Sequence, residues 1–263
     1  KIKKMINKIY KTIHNKFYRF FKFVFFIRYL FAIFFVAILL FLSIPHFFDY
    51  RAKDKIIKTY LSKNYNLDIK DYKNIKFNSF PLPHLEMNNL KMNFNSKKIN
   101  LKTQKLLLYP RLISLYNYKN FQVRKLRLEN SFFETNLKNI KRLKNSIYDL
   151  QKKIYFQDLN LKIKDDAKTI IIFKKINYLN YGYKKNIITG EVFNRKFKVN
   201  LKDDLSNINF KLQNTGVSIN LNIPKKSQKS NLNGDLNGKI LKSNFKLNFI
   251  HNKDKIKVNN FFF

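Results

Sequence analysis

The sequence predicts a mainly β protein: an N-terminal transmembrane helix, then an extended, curled antiparallel sheet with an apolar inner face and one or two short helices. Three observations carry this. Residues 29–48 form an apolar run without Asp, Glu, Lys or Arg. As a helix rising about 1.5 Å per residue, the run covers roughly 30 Å, the thickness of a bilayer core. From Leu67 onward the apolar period changes from helical to two and stays there almost to the end. Turn residues recur between the alternating runs at spacings that suit antiparallel hairpins and are too short for strand-helix-strand units.

Residues 1–28 precede the span. Ile2, Ile6, Ile9, Tyr10, Ile13, Phe17, Phe20 and Phe21 recur at helical spacing, and Lys3, Lys4, Lys8, Lys11, Lys16, Arg19 and Lys22 fill most of the other faces. This is the pattern of a basic amphipathic helix on a membrane surface, and its lack of acids suits the anionic cytoplasmic leaflet. A buried helix of a soluble protein is the first alternative for 29–48, but continuous apolar runs of this length are rare there. A cleaved signal peptide is the second; against it, the basic leader is long and Ser43-Ile44-Pro45-His46 stands where a small-residue cleavage site belongs. Arg51, Lys53, Lys55, Lys58 and Lys63 nearly balance the leader's charge, so the expected orientation, N-terminus inside, rests on the acid-free leader and on long domains translocating regardless of charge. Asp49 then reads as a helix cap, with Ile56, Ile57, Tyr60 and Leu61 as the stripe of one short helix ending near Asn64.

The body divides into 49–136, a helical insert or connector at 137–153, and a second group of strands at 154–263. Leu126 and Leu128 begin the alternating apolar set, which continues through Leu159, Leu161 and Ile163. Downstream it includes Phe197, Val199, Leu201, Ile208, Phe210, Leu212, Val217, Ile219, Leu221, Phe245, Leu247 and Phe249. Lys, Asn and Ser fill the intervening positions, so each strand has one dry and one wet face. Turn signals stand at Asp165-Asp166, Gly182, Asp203-Asp204, Thr215-Gly216 and Asn233-Gly234. The exception is 137–153, where Ile140, Leu143, Ile147 and Leu150 have helical spacing. The chain opens at Lys1 and stops at Phe261-Phe262-Phe263, inside what reads as a strand, which leads us to expect a longer protein.

Of 263 residues, 54 are Lys or Arg and 16 are Asp or Glu, a net charge of +38 that attracts polyanions. The lysines are spread over the chain without forming a patch, and Lys, Asn, Ile, Phe and Tyr dominate throughout, as base composition alone would impose. No zinc-finger spacing, aromatic RNA-binding signature or basic zipper is present, so nucleic acid is not the favoured partner. Cysteine is absent. His14, His46, His84 and His251 are scattered and have no clustered carboxylates at metal-ligand spacing, and no phosphate loop, nucleophile elbow or dinucleotide fingerprint occurs. The paired aspartates point to opposite faces of any strand and read as turn caps. No enzyme, metal or cofactor is expected.

The dry face has two readings. It closes into a sandwich, or one long sheet leaves it open as a groove for acyl chains; a transmembrane barrel conflicts with a retained helical anchor. The inward set, rich in Phe, Leu and Ile, leans toward the groove, with Phe197, Phe210, Phe245 and Phe249 touching lipid. About ten strands at roughly 4.8 Å give a sheet of about 45–50 Å.

The order of features resembles the N-terminal region of AsmA-like proteins. The span is followed by Asp49-Tyr50-Arg51 and a short helix. Next comes Phe80-Pro81-Leu82-Pro83-His84-Leu85, an F-x-P-x-L type segment before a strand. Leu106-Leu107-Leu108-Tyr109-Pro110 and the segment from Phe121 to Asn130 are similar to the family's strand, short helical turn and strand. The similarity covers about 29–135; Tyr116-Asn117-Tyr118-Lys119-Asn120 replaces the glycine turn usual there. The resemblance implies an inner-membrane protein with a periplasmic β-rich body, related to bridge-like lipid-transfer proteins and linked to outer-membrane assembly. Phospholipid is then the expected ligand, envelope proteins are possible partners, and no catalytic residues are implied. The rival readings are a closed envelope interaction protein and a membrane-tethered nucleic-acid binder.

Overall fold

Strands with one dry and one wet face can associate only in registers that keep the dry faces together, because a slip of one residue inverts every side chain. The computed structural model of this chain describes residues 2–94, 99–136, 152–165, 167–202, 206–223, 231–252 and 255–262. The chain divides into two units, Lys1–Phe48 and Asp49–Phe263.

The first unit is helical: α1 (Ile2–Lys16), α2 (Tyr18–Ser43) and a 3-10 turn over Ile44–Phe47. Together α2 and the turn give one N-terminal helix, Tyr18–Phe47, long and apolar enough to cross a membrane. It begins at Tyr18, well ahead of residue 29, and the amphipathic leader ends at Lys16. No glycine or proline lies between Tyr18 and Ser43 to stop the helix earlier, and Pro45 tightens its last turn into 3-10 geometry.

The second unit opens with α3 (Asp54–Tyr65) and continues with β1 (Leu67–Asp71), β2 (Asn74–Asn78), β3 (His84–Phe94) and β4 (Ile99–Pro110). After the short α4 (Leu112–Tyr116) come β5 (Val123–Asn136), β6 (Lys153–Asp165), β7 (Lys168–Leu179), β8 (Ile187–Val192) and β9 (Arg195–Leu201). The strands β10 (Asn207–Leu212), β11 (Val217–Asn222), β12 (Asn231–Ile240), β13 (Ser243–Asn252) and β14 (Lys255–Phe262) follow. All fourteen form one unclosed sheet in sequence order, with β1 and β2 sharing β3 as neighbour. At roughly 4.8 Å per strand its thirteen-strand path spans about 58 Å, longer than the ten-strand expectation.

Every neighbouring pair is antiparallel except β5 with β6, which run parallel. A parallel pair needs a crossover of a dozen or more residues, and the sequence between Asn136 and Lys153 is long enough for one. The helical stretch expected at 137–153 lies outside the described residues up to 151, and Lys153 already belongs to β6. Asp49 does not cap α3: its Oδ1 accepts from the backbone N–H of Arg51 (2.9 Å) and Ala52 (3.3 Å), closing the turn before the helix. Asn66 ends α3 in the left-handed conformation, as a C-terminal cap. Thr215-Gly216 and Gly182 stand in turns, Gly216 and Gly182 with positive φ. Asn233-Gly234 does not: it lies inside β12, opposite Ile250 and Phe249. The hairpin bend falls instead at Leu241-Lys242. Asp166 and 203–205 lie outside the described residues.

A crease crosses half the sheet. In each of β3, β4, β5, β6 and β7 one extra residue shifts the dry-face phase, at Asn89, Gln104, Asn130, Asp158 and Lys175. The first four fall side by side from β3 to β6, and Lys175 lies beside Asn160, two residues further along β6. The line starts at the break between β1 and β2 and ends against Gly190 of β8. Asn89, Asn130, Asp158 and Lys175 all have φ between 50° and 53°, the left-handed geometry of one bulge type. Hydroxyls on the dry face satisfy groups that the bulges release: Thr103 Oγ1 donates to the Glu129 carbonyl (2.9 Å) and accepts from Ser131 Oγ (2.8 Å). On the polar face, Asn130 Nδ2 donates to Gln104 Oε1 (3.0 Å), and the Oδ1 of Asn177 and Asn160 accept from the backbone N–H of Asp158 and Lys175.

Thr103 and Ser131 are both buried. Thr103→Val keeps the shape and removes the hydroxyl, leaving the Glu129 carbonyl and the Ser131 hydroxyl without it. It is expected to cost about 1–3 kcal/mol, read as a lower urea midpoint at unchanged slope.

Candidate functional site

Residues opposite one another in a ladder share a face, so the register traces the apolar face across the sheet. One row runs Ile75, Met87, Leu106, Leu128, Phe156, Tyr178, Ile188, Val199, Phe210, Ile219, Gly238 and Phe245, one residue from each of β2 to β13. Its single residue without a side chain, Gly238, lies under the ring of Phe245. All seventeen residues expected to line a groove fall on this face. Leu126, Leu159, Leu161 and Ile163 flank the row on β5 and β6; Phe197, Leu201, Ile208, Leu212, Val217, Leu221, Leu247 and Phe249 flank it on β9 to β13.

The face has two regimes. Over β3 to β6 it is a closed core: Leu85, Met87, Leu106, Leu108, Leu126, Leu128, Ile154 and Phe156 are buried. Ile57, Leu61 and Tyr65 of α3 and Leu115 of α4 are equally buried and complete this core. Tyr60 links the helix to the sheet, its hydroxyl accepting from the Val123 N–H (3.0 Å) and its ring edge-on to Phe121 at 5.4 Å. From β9 to β13 no helix lies among the described residues, and Val199, Phe210, Ile219, Leu221, Leu247 and Phe249 stay half-buried. Phe197 is the exception there, buried between Phe173 and Phe210, with ring centroids at 5.6 and 5.8 Å.

Three of the expected lipid-contacting rings have a structural task that the sequence did not announce. Phe197, Phe245 and Phe249 stand opposite Gly190, Gly238 and Gly234, the three glycines within strands. Each ring lies over its glycine; a Cβ on Gly238 would meet the Phe245 ring at 2.0 Å. Such aromatic cover compensates for the missing side chain and leaves a thin floor.

The residues quoted for the AsmA-like resemblance separate. Tyr50 is buried, stacked on Phe77 at 6.4 Å and edge-on to Tyr118, and burial pushes the Tyr50 and Tyr118 hydroxyls well above the usual tyrosine range. Leu85 is buried opposite Phe77, whereas Phe80 and Pro81 are exposed in the β2–β3 loop and Pro83 is half-buried before β3.

The opposite face is polar and cationic. Alternation places lysines opposite lysines, Lys91 with Lys102 and Lys198 with Lys211. A hollow of about 510 Å³ opens there beside Asn209, Ser218, Asn220, Lys239 and Lys246. His14, His46 and His84 lie in separate elements, and no group of three His, Asp or Glu side chains is assembled among the described residues.

The fold and this face define a one-sheet β protein behind a single apolar helix, with a dry face closed at one end and half-open at the other. No protein-family model matches the chain, and no curated protein matches it either.

Gly238→Ala is expected to lower stability by about 1–3 kcal/mol by displacing the Phe245 ring. In a Phe245→Leu background the same substitution should cost less. A double-mutant cycle from urea unfolding reads the coupling; additive costs would mean that the ring and the glycine are independent.

Proposed function

We propose that this is a non-enzymatic membrane-anchored protein that binds phospholipid through the acyl chains on the half-open apolar face of β9 to β13. The observation that carries the reading is the unbroken apolar row, which continues past the helical cover onto strands with nothing described above them. Each methylene moved out of water contributes about 0.8 kcal/mol, so roughly ten methylenes supply about 8 kcal/mol, the order of the cost of association, and the further methylenes of two acyl chains supply the affinity. The AsmA-like resemblance of 29–135 supports a role in lipid handling for outer-membrane assembly, with the helix in the inner membrane, the acid-free leader cytoplasmic and the body periplasmic. A sheet of about 58 Å suits shielding a lipid and handing it to a partner better than spanning an envelope alone.

Native mass spectrometry with lipid extraction on residues 49–263 tests this. Bound phospholipid is expected, and it should be lost in Phe210→Asp/Phe245→Asp while the β signature in circular dichroism persists. A folded, lipid-free body would sink the groove and favour an envelope protein as the occupant of the face.

The cationic face favours a second reading, a membrane-tethered polyanion binder, because folding does gather alternate lysines on one surface. It predicts nucleic-acid binding that weakens linearly in log salt and is reduced by Lys198→Glu/Lys211→Glu. Binding absent at low salt would end it.

A further inference from the structure

The strands have two ends, and one of them is built differently. The pairs Phe77 with Leu85, Leu85 with Leu108, Leu108 with Leu126, and Lys125 with Lys153 mark a near end, where the β2–β3, β4–β5 and β7–β8 connections and the start of β6 come together. The chain also arrives here, since Tyr50 packs on Phe77 and Tyr118.

Three of these connections expose large apolar side chains. Phe80 is 87% exposed and Leu82 53% in the β2–β3 loop, Ile113 is 80% exposed on α4, and Tyr183 is 91% exposed in the β7–β8 loop. The same segments, residues 79–83, 111–124, 152–153 and 180–186, contain no Asp or Glu. A cleft of about 560 Å³ opens between 111–124 and 152–153, lined by Arg111, Arg124, Lys152, Lys153, Gln122 and Tyr60. Lys184 and Lys185 continue the charge, with Lys184 Nζ 5.5 Å from the Tyr183 ring centroid.

We infer that the near end is a membrane-docking edge that seats on an anionic bilayer surface, the bilayer that holds the chain's own apolar helix. Exposed Phe, Leu, Ile and Tyr interleaved with cations are the composition of an interfacial segment: apolar tips enter the headgroup boundary and lysines meet phosphates. Tyr belongs at that depth because its ring is apolar and its hydroxyl wet. Charge complementarity selects a lipid surface over a second copy of the chain, because two copies would set one acid-free cationic edge against another. Continuity selects the bilayer: the apolar helix ends at Phe47, and three residues later Tyr50 is already packed at this end. No residue of β9 to β13 takes part in this edge, which is therefore separate from the groove.

The chain has no cysteine, so single cysteines can be placed at will. Phe80→Cys, Tyr183→Cys and, on the opposite hairpin end, Phe193→Cys each carry an environment-sensitive dye on the full-length chain. The labelled chains are reconstituted in vesicles of phosphatidylcholine with phosphatidylglycerol that carry lipid-attached quenchers. Loss of emission is expected at 80 and 183 and not at 193. It should weaken in phosphatidylcholine alone and in Arg124→Glu/Lys153→Glu, a surface pair whose fold is checked by circular dichroism. Unquenched dyes at 80 and 183, or equal quenching at all three positions, would overturn the proposal. Lipid copurifying with the groove can succeed or fail without changing any of these readings.

Discussion

The whole of this structure depends on phase. A sheet of fourteen strands with a closed core only over β3 to β6 has little to enforce agreement along its length, and each ladder has to hand on the apolar face to the next strand without inversion. The row from Ile75 to Phe245 shows that it is handed on from strand to strand all the way from β2 to β13. Burial of that row over β3 to β6 supplies the stable part. Beyond β8 the same alternation is carried by cross-strand contacts alone, such as Val199 with Phe210 and Leu221 with Leu236. The open region is therefore the less protected region, and it borrows its register from the closed one.

The crease is how that register survives a bend. Five successive strands carry one extra residue at the same place, so the shift cancels between neighbours and persists only against β8, where Gly190 faces two residues of β7. Glycine fits that position because a Cβ would lie 3.0 Å from the Lys174 carbonyl and 2.8 Å from the Phe197 ring. Asn and Asp suit three of the bulged sites because they tolerate the left-handed conformation, while Lys175 is held there by Asn160.

Much of this was legible in the sequence. Alternation placed β5, β6, β9, β10, β11 and β13 and their dry faces correctly, since that signal follows directly from side chains pointing to opposite sides. The apolar helix was legible as a run but not in its start, because Tyr18 to Arg28 mixes aromatic and basic residues that helical geometry tolerates equally. Asn233-Gly234 misled because the dipeptide is a common turn former, yet the Phe249 ring covers its glycine within a strand. The bulges did leave a trace: Asn88-Asn89, Gln104-Lys105, Glu129-Asn130, Gln157-Asp158 and Lys174-Lys175 are polar doublets inside otherwise alternating runs. Alternation read strand by strand treats them as noise; only pairing aligns them. The parallel β5 and β6 had no local signal, because strand direction is set by the crossover and not by the strands.

The aligned doublets also constrain how such a chain can change. Removing Asn130 alone would turn Phe133 and Thr135 to the polar side while Leu101 on one neighbour and Ile163 on the other stayed where they are. A deletion tolerated in an ordinary hairpin would here break two ladders at once. Length variation in β3 to β7 is therefore heritable only as a set, and a lineage carrying this sheet should gain and lose residues in its loops while these five strands keep their count.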